Sequence, residues 1–268
     1  MAAVAGQTPG RIGAAVLLIE TGEHAAWHGR GRFPMQSVYK FPIAMAVLRD
    51  VDRGKLALDQ PVRIDAAEMV PSTLHSPIRD SHPGGTAMTL AEVLRYAVTE
   101  SDGTASDVLL RLVGGPARVT AYLEELGVRG VRVVTTEREM SLSEPVQYRN
   151  WAQPEEVVAL LRLFWQGRGL SAASRARLLE WMTVTGTGPK RIRGLLPQGA
   201  PVAHKTGTSN TSHGLTPATN DVGIVTLPDG RHLAIAVFVA DSPAGTEARE
   251  AAIARIARAA WDWALEQR

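Results

Sequence analysis

The chain has no cysteine among its 268 residues. That excludes disulfides, thiolate metal sites and a cysteine nucleophile. It has no apolar run near the roughly 18 residues that a membrane-spanning helix needs. Its first residues, "MAAVAGQTPGRIG", lack the basic stretch and apolar core of an export signal. The sequence is therefore read as a cytoplasmic chain or as the mature form of an exported one. No block of Lys and Arg is present either. The 29 basic residues barely exceed the 27 acidic ones, so the net charge is +2 and the pI near 9.1 reflects a slight excess of Arg. Nucleic acid is not an expected partner. The seven His are scattered without ligand-like spacing, so no metal is expected. Internal repeats, low-complexity tracts and obvious linkers are missing too.

What the chain does have is a change of period along its length. Residues 12 to 19, "IGAAVLLI", read as a short strand ended by "ETGEH", with "AAWHG" as a hairpin partner. Helical patterns follow. Residues 37 to 52 place Ile43, Val47 and Val51 on one stripe, and residues 89 to 99 start at Thr89, a suitable N-cap. Residues 105 to 113, 116 to 126, 154 to 166 and 171 to 184 also read as helices, the third opening on Pro154-Glu155-Glu156. After residue 199 strands return in "PVAHKTGT", "DVGIVTLPDG" and "HLAIAVFVA", with "LPDGRH" as a hairpin turn. Residues 246 to 267 form a closing amphipathic helix with Ile253, Ile256, Ala260 and Trp263 inward. Trp261 and Trp263 are read as packing residues. The expected fold is mixed α/β: an antiparallel sheet flanked by helices, built from both chain ends, with an inserted all-α lobe. The expected division is 1–36 and 187–268 for the α/β lobe and 37–186 for the helical lobe, with the active site in the cleft between them. One feature conflicts with this pattern. Pro42 stands about five residues into the helix expected to begin near Ser37, where an interior proline costs roughly 3 kcal/mol.

Three short stretches carry chemistry. In "MQSVYKFP", Ser37 and Lys40 are three apart, on one helix face and within mutual reach. A serine hydroxyl needs a base to become a nucleophile, and a neutral lysine amine can serve. A helix N-terminus beside it favours an anionic intermediate. In "ESDGTASD", Ser101 and Asp102 lie in a glycine-containing loop that also suits a helix stop and N-cap. In "VAHKTGTSN", a strand carries Lys205, Thr206, Gly207 and Thr208, and Gly207 leaves room for a substrate against the strand. Each stretch alone has an ordinary structural explanation: a chance S-x-x-K, an N-cap, an edge strand with a protective Lys. Together, in this order, they form the set S-x-x-K, S-D-N-like and K-T-G.

On these motifs the chain resembles the serine β-lactamases and penicillin-binding proteins over residues 11 to 266. More narrowly it resembles the class A β-lactamases, and "FPMQSVYKFPIA", "VAHKTGTS" and "ATNDVGI" are similar to the extended-spectrum branch of PER and VEB type. Ser37, Ser101, Glu137 and Lys205 are spaced by 64, 36 and 68 residues, which suits that family. The resemblance implies a fold of β-lactamase/transpeptidase type and hydrolysis of β-lactams through a Ser37 acyl-enzyme. It implies that Glu137, in a polar Ω-loop, holds the deacylating water. On spacing alone Glu139 or Glu144 competes for that part. It implies that Lys40 or Glu137 takes the Ser37 proton and that Ser101 serves the leaving nitrogen, tuned by Lys205. It implies that the backbone N–H groups of Ser37 and Thr208 form the oxyanion hole and that Thr206, Gly207, Thr208 and an Arg bind the substrate; Arg191 aligns with a carboxylate-binding Arg of some relatives, and its neighbour Arg193 is the one expected to be structural. No cofactor is implied. The partners are β-lactam substrates and inhibitors, the expected state is a monomer, and the expected place is the periplasm or outside the cell.

The chain departs from the family pattern in three places. Gly103 stands where an Asn would contact the substrate side chain. Ser141 stands where an Asn co-holds the hydrolytic water. Thr135 and Asn150 stand near the places of an Arg…Asp clasp on the Ω-loop, so a different loop path and a wider site are expected. Two other readings share the motifs: a penicillin-binding or β-lactam-sensing domain that acylates and stops, and a DD-peptidase or esterase on the same scaffold.

Overall fold

The computed structural model describes residues 2–267. A five-stranded sheet runs in the spatial order His24–Trp27, Arg11–Leu18, His232–Ser242, Thr216–Thr226, Val202–Thr208. Every pairing is antiparallel. Both faces are covered, which is why the central strands are apolar almost without interruption. The strand His232–Ser242 shows how the two faces are told apart. Ala234, Ala236, Phe238 and Ala240 enter one core, while Leu233, Ile235, Val237 and Val239 enter the other. The turn "LPDGRH" closes the last two strands, with the N–H of Leu227 donating to Arg231 O at 2.8 Å.

The terminal helix Thr246–Glu266 covers the second core with Ile253, Ile256, Ala257, Ala260 and Trp261. Trp261 is the buried tryptophan there; Trp263, expected inward, only packs against the edge of this core. The helical pitch places Trp263 nearly a quarter-turn away from the centre of the stripe. The other face carries a helical part whose axis is the helix Lys40–Asp52. Residues Lys40 to Leu48 are all buried, as in a helix surrounded by protein on every side. Phe41 meets Phe164 of the helix Pro154–Trp165 edge-on at 5.3 Å, a contact worth about 1 kcal/mol beyond its buried area.

The structure resolves the Pro42 conflict. Residues Gln36–Tyr39 form a 3-10 turn, and the α-helix starts only at Lys40. Pro42 therefore lies in the first turn, where its missing N–H has no intrahelical partner to lose. The helices at 89 and 154 start as expected: Thr89 caps its helix with Glu92, and Pro154 opens the other ahead of two Glu. The inserted part is not wholly helical. Pro61–Asp65 pairs with Gly85–Thr89, burying Val62 and Ile64 on alternate positions. The two-residue strands Phe33–Pro34, Trp151–Ala152 and Val131–Arg132 pair as a small ribbon. No described helix is long and apolar enough to cross a membrane.

Candidate active site

The 3-10 turn and the helix after it place Ser37 and Lys40 together. Lys40 Nζ donates to Ser37 Oγ at 2.6 Å. The same amine is ion-paired with Glu137, and neither side chain is appreciably exposed. A buried ammonium needs such partners, because an isolated charge in the interior is costly. One amine therefore bridges a hydroxyl and a carboxylate.

Glu137 begins the short helix Glu137–Met140, capped by Thr136, whose hydroxyl accepts from the N–H of Glu139. Two further groups fix the loop. Asp107, on the helix Gly103–Val113, accepts the N–H of Glu137 at 2.7 Å and that of Arg138 at 3.0 Å. Burial, and then the Glu137 charge, pushes the Asp107 carboxyl up to about 6. Asn150, fully buried, accepts the N–H groups of Val134 and Thr135 on Oδ1 and donates to Thr135 O at 2.9 Å. The loop thus has a clasp, made by a neutral amide. Of the other glutamates considered for the site, Glu139 is held in the capping box by Thr135 and Thr136, which keep its carboxyl low. Glu144 starts the 3-10 turn Glu144–Arg149 at the cleft rim.

Ser101 comes from the opposite wall. Its backbone is left-handed, with φ of 60°, a conformation costing about 1 kcal/mol for a residue with a side chain. Asp102 holds it there. This buried carboxylate caps the helix Gly103–Val113 through the N–H of Ala105 at 2.8 Å. It also accepts from the N–H of Ile78 and the hydroxyl of Ser76. The N-cap expected of this motif is made by Asp102, and Ser101 beside it faces the cleft. Gly103 is buried, and its N–H donates to His75 O at 3.0 Å.

The edge strand Val202–Thr208 supplies the rest. Lys205 is fully buried and donates to Ser101 Oγ at 2.8 Å and to Thr206 O at 3.1 Å. Burial, and then the Lys40 charge, holds its amine well below the ordinary lysine range. Gly207 is required by the protein itself: a Cβ there would lie 2.3 Å from Met35 O and 3.1 Å from Val38 N. Its absence lets the Ser37 turn press against the strand. The N–H of Ser209 donates back to Ala218 O, so by alternation the N–H of Thr208 points off the open edge of the sheet. Arg191 donates to Thr208 Oγ1 at 2.7 Å and to Asn220 O at 2.9 Å, while Glu250 balances its charge. The hydroxyl of Thr206 donates to Thr187. Arg193 bonds Val202 O and Thr183 O, a structural part as expected.

A cavity of about 400 Å³ joins these walls, lined by Ser37, Lys40, Ser101, Glu137, Ser141 and Thr208 among others. Gly103, Thr206 and Lys205 are buried next to residues that line it. The Ser141 hydroxyl, on the cavity lining, donates to Arg138 O at 2.6 Å and keeps its lone pairs free to accept. Sequence reading missed Asp107, which looks like a solvated helix residue; its only signal is its place four residues after Gly103, one turn along the same helix face.

The arrangement of two serines, two lysines and a glutamate around one cleft has known counterparts. The profile of the Beta-lactamase enzyme family matches residues 1–264. The chain belongs to that family. It is 44% identical over 237 residues to the extended-spectrum β-lactamase PER-1 of Pseudomonas aeruginosa, covering 88% of this chain and 77% of that protein. The β-lactamase VEB-1 of the same organism is 38% identical over 259 residues, covering 96% and 86%. Among solved structures, a β-lactamase from Chitinophaga pinensis superposes with a TM-score of 0.96 at 48% identity, covering 98% of this chain and 97% of that one. The extended-spectrum β-lactamase TLA-1 gives 0.94 at 39%, covering 98% and 99%. The chain is a class A serine β-lactamase by family, and its fold is that of the class.

Proposed function

We propose that the chain hydrolyses β-lactams in two steps, acylation of Ser37 and deacylation by a water that Glu137 activates. The observation that carries this reading is the single amine of Lys40, in contact with both Ser37 Oγ and Glu137. Ser37 Oγ attacks the lactam carbonyl, and its proton passes to Lys40, once that amine has given its own proton to Glu137, or to Glu137 through a water. The N–H groups of Ser37 and Thr208 receive the oxyanion; one such donor is worth roughly 3 kcal/mol in the transition state. Ser101 hands a proton to the lactam nitrogen as the C–N bond breaks, and Lys205 orients that hydroxyl. Arg191, Thr206 and Thr208 hold the substrate carboxylate beside Gly207. Glu137 then takes a proton from water, which attacks the ester and releases Ser37. Ser141 and Gly103 border the acyl side chain. The catalytic cleft lies between an α/β lobe, 1–36 and 187–268, and a lobe of residues 37–186. The extended spectrum named for PER-1 is proposed here as well, as are a monomeric state and a periplasmic or extracellular location.

The test is intact mass over time after adding a small excess of benzylpenicillin. Wild type is expected to return to its free mass while penicilloate accumulates. Glu137→Ala is expected to hold the adduct, and Ser37→Ala to form none. A wild type that stays acylated overturns the role of Glu137 and indicates a penicillin-binding domain. Turnover of D-Ala-D-Ala peptides or simple esters, with no β-lactam turnover, indicates the peptidase.

A further inference from the structure

Behind the catalytic strand lies a buried pair that the mechanism above does not use. His204 and Asp221 are both fully buried. His204 Nδ1 lies 2.9 Å from Asp221 Oδ1 and 3.0 Å from Oδ2. Among the described residues His204 Nε2 has no hydrogen-bond partner. The ring proton therefore belongs on Nδ1, where Asp221 accepts it.

The place of this pair gives it a purpose. Side chains alternate along a strand, so His204 and Thr206 share one face while Lys205 points to the other. Asp221 pairs with Thr206 in register and shares that face. The turn carrying Arg191 crosses the same face. Asp221 Oδ2 accepts the N–H of Ile192, the residue after Arg191, at 3.1 Å. The Arg191 guanidinium, one residue back, reaches Thr208 at the rim of the cleft. A buried carboxylate with only one donor would be poorly satisfied and free to turn. His204 supplies the second donor and sets its direction.

We infer that His204 is a positioning residue: through Asp221 and the Ile192 amide it fixes the Arg191 turn, and so the grip on the substrate carboxylate. This rests on the reading of Arg191 as the carboxylate anchor. His204 touches no substrate. Its effect should appear in binding of the carboxylate and not in the chemistry at Ser37.

The experiment compares kcat and KM for benzylpenicillin and for its methyl ester, which has no carboxylate charge. The variants are His204→Leu, which deletes the donor, His204→Asn, whose amide can replace Nδ1–H, Arg191→Ala, and Arg191→Ala with His204→Leu. His204→Leu is expected to raise KM for the acid about tenfold, the effect of one charge-assisted hydrogen bond, with kcat and the ester little changed. His204→Asn should restore KM. The double variant should be no worse than Arg191→Ala, because both act on one contact. Equal effects on acid and ester, a loss confined to kcat, or an added loss in the double variant each overturn the proposal while Arg191 stands. If Arg191→Ala leaves the KM of the acid unchanged, the anchor reading fails first and takes the proposal with it. Should His204→Leu not fold, ¹⁵N spectra of the wild type decide. Adding penicilloate should shift the Ile192 amide and the His204 ring together, and a still His204 ring refutes the coupling.

Discussion

Two lysines flank the cleft, and they are buried alike, at 1% for Lys40 and 0% for Lys205. Each donates to a serine hydroxyl, at 2.6 Å to Ser37 and 2.8 Å to Ser101. They differ in what stands behind them. Lys40 is in contact with the carboxylate of Glu137. Among the described residues Lys205 donates to a hydroxyl and a carbonyl, and burial together with the Lys40 charge pushes its amine toward the neutral form. The same residue type is thus a paired cation on one wall and a strained amine on the other. A paired amine can pass a proton between the nucleophile and the carboxylate without creating net charge in the interior. An ammonium pushed toward the neutral form gives up its proton easily, which suits the part proposed above for the neighbouring Ser101 hydroxyl.

The sharpest way to break this comparison is to remove each amine in turn. Lys40→Met leaves Glu137 buried and unpaired, which should destabilise the fold by about 3–5 kcal/mol. Lys205→Met removes an amine that resists its charge, and should stabilise by about 1 kcal/mol or more. Both should lose most activity. The sign follows from linkage: a lysine pKa held below its unfolded value favours unfolding while the unfolded chain binds the proton more tightly. That penalty fades as pH rises toward the ordinary lysine value of 10.5. Urea unfolding at pH 7 and pH 9.5 checks both signs. Equal losses from the two substitutions would erase the difference between the walls.

A smaller effect is expected on the Lys40 side, from the carboxylate that carries the Glu137 loop. Asp107 is raised from 3.8 to about 6, so the folded state binds its proton more tightly than the unfolded chain does. The associated stability is complete below pH 3.8 and is lost as pH rises through about 6. The rise corresponds to about 3 kcal/mol. Asp107→Asn should therefore flatten the stability curve between about pH 4 and 6 relative to wild type. It also replaces one of two acceptors facing the N–H groups of Glu137 and Arg138, so deacylation should slow more than acylation. Unfolding midpoints across that pH range test the first statement, and trapped-adduct mass tests the second.

Much of this arrangement was legible in the residues, and the exceptions have physical causes. Chemistry-bearing motifs read well because each pairs a reactive residue with a local structural signal, such as the N-cap at Asp102 or the glycine at 207. The capped helices at Thr89 and Pro154 and the turn at 227–231 were legible for the same reason. What escaped depends on distant partners. Two-residue strands such as Val131–Arg132 are made by pairing across the chain and not by any local preference. Pro42 looked misplaced because the turn before it is 3-10 and the α-helix starts only at Lys40, in a turn that packs on the strand where Gly207 lacks a Cβ. The neutral clasp of Asn150 escaped because the charged pair expected in its place was missing, and one buried amide making three hydrogen bonds does the same task.

The smallest expected effect concerns Gly103, which borders one wall and not the other. A Cβ there would lie 3.1 Å from His75 O, 3.4 Å from Val70 Cγ2 and 3.6 Å from Glu137 Cγ. The first distance is tight and the others are ordinary contacts, so Gly103→Ala asks His75 to shift by a few tenths of an ångström. Against that stands the gain of replacing glycine in the first turn of a helix, roughly 0.5–1 kcal/mol. The two nearly cancel, and the melting temperature should move by no more than about 2–4 °C. Function is the more telling readout. The new methyl group touches the Glu137 side chain, and no atom of Lys205 is among its nearest neighbours. Deacylation should change by a few-fold while acylation of Ser37 stays as it was, measured separately by stopped-flow and by decay of the adduct. If acylation falls instead, the two walls are coupled through Ser101, and the division of labour between the lysines is weaker than their surroundings imply.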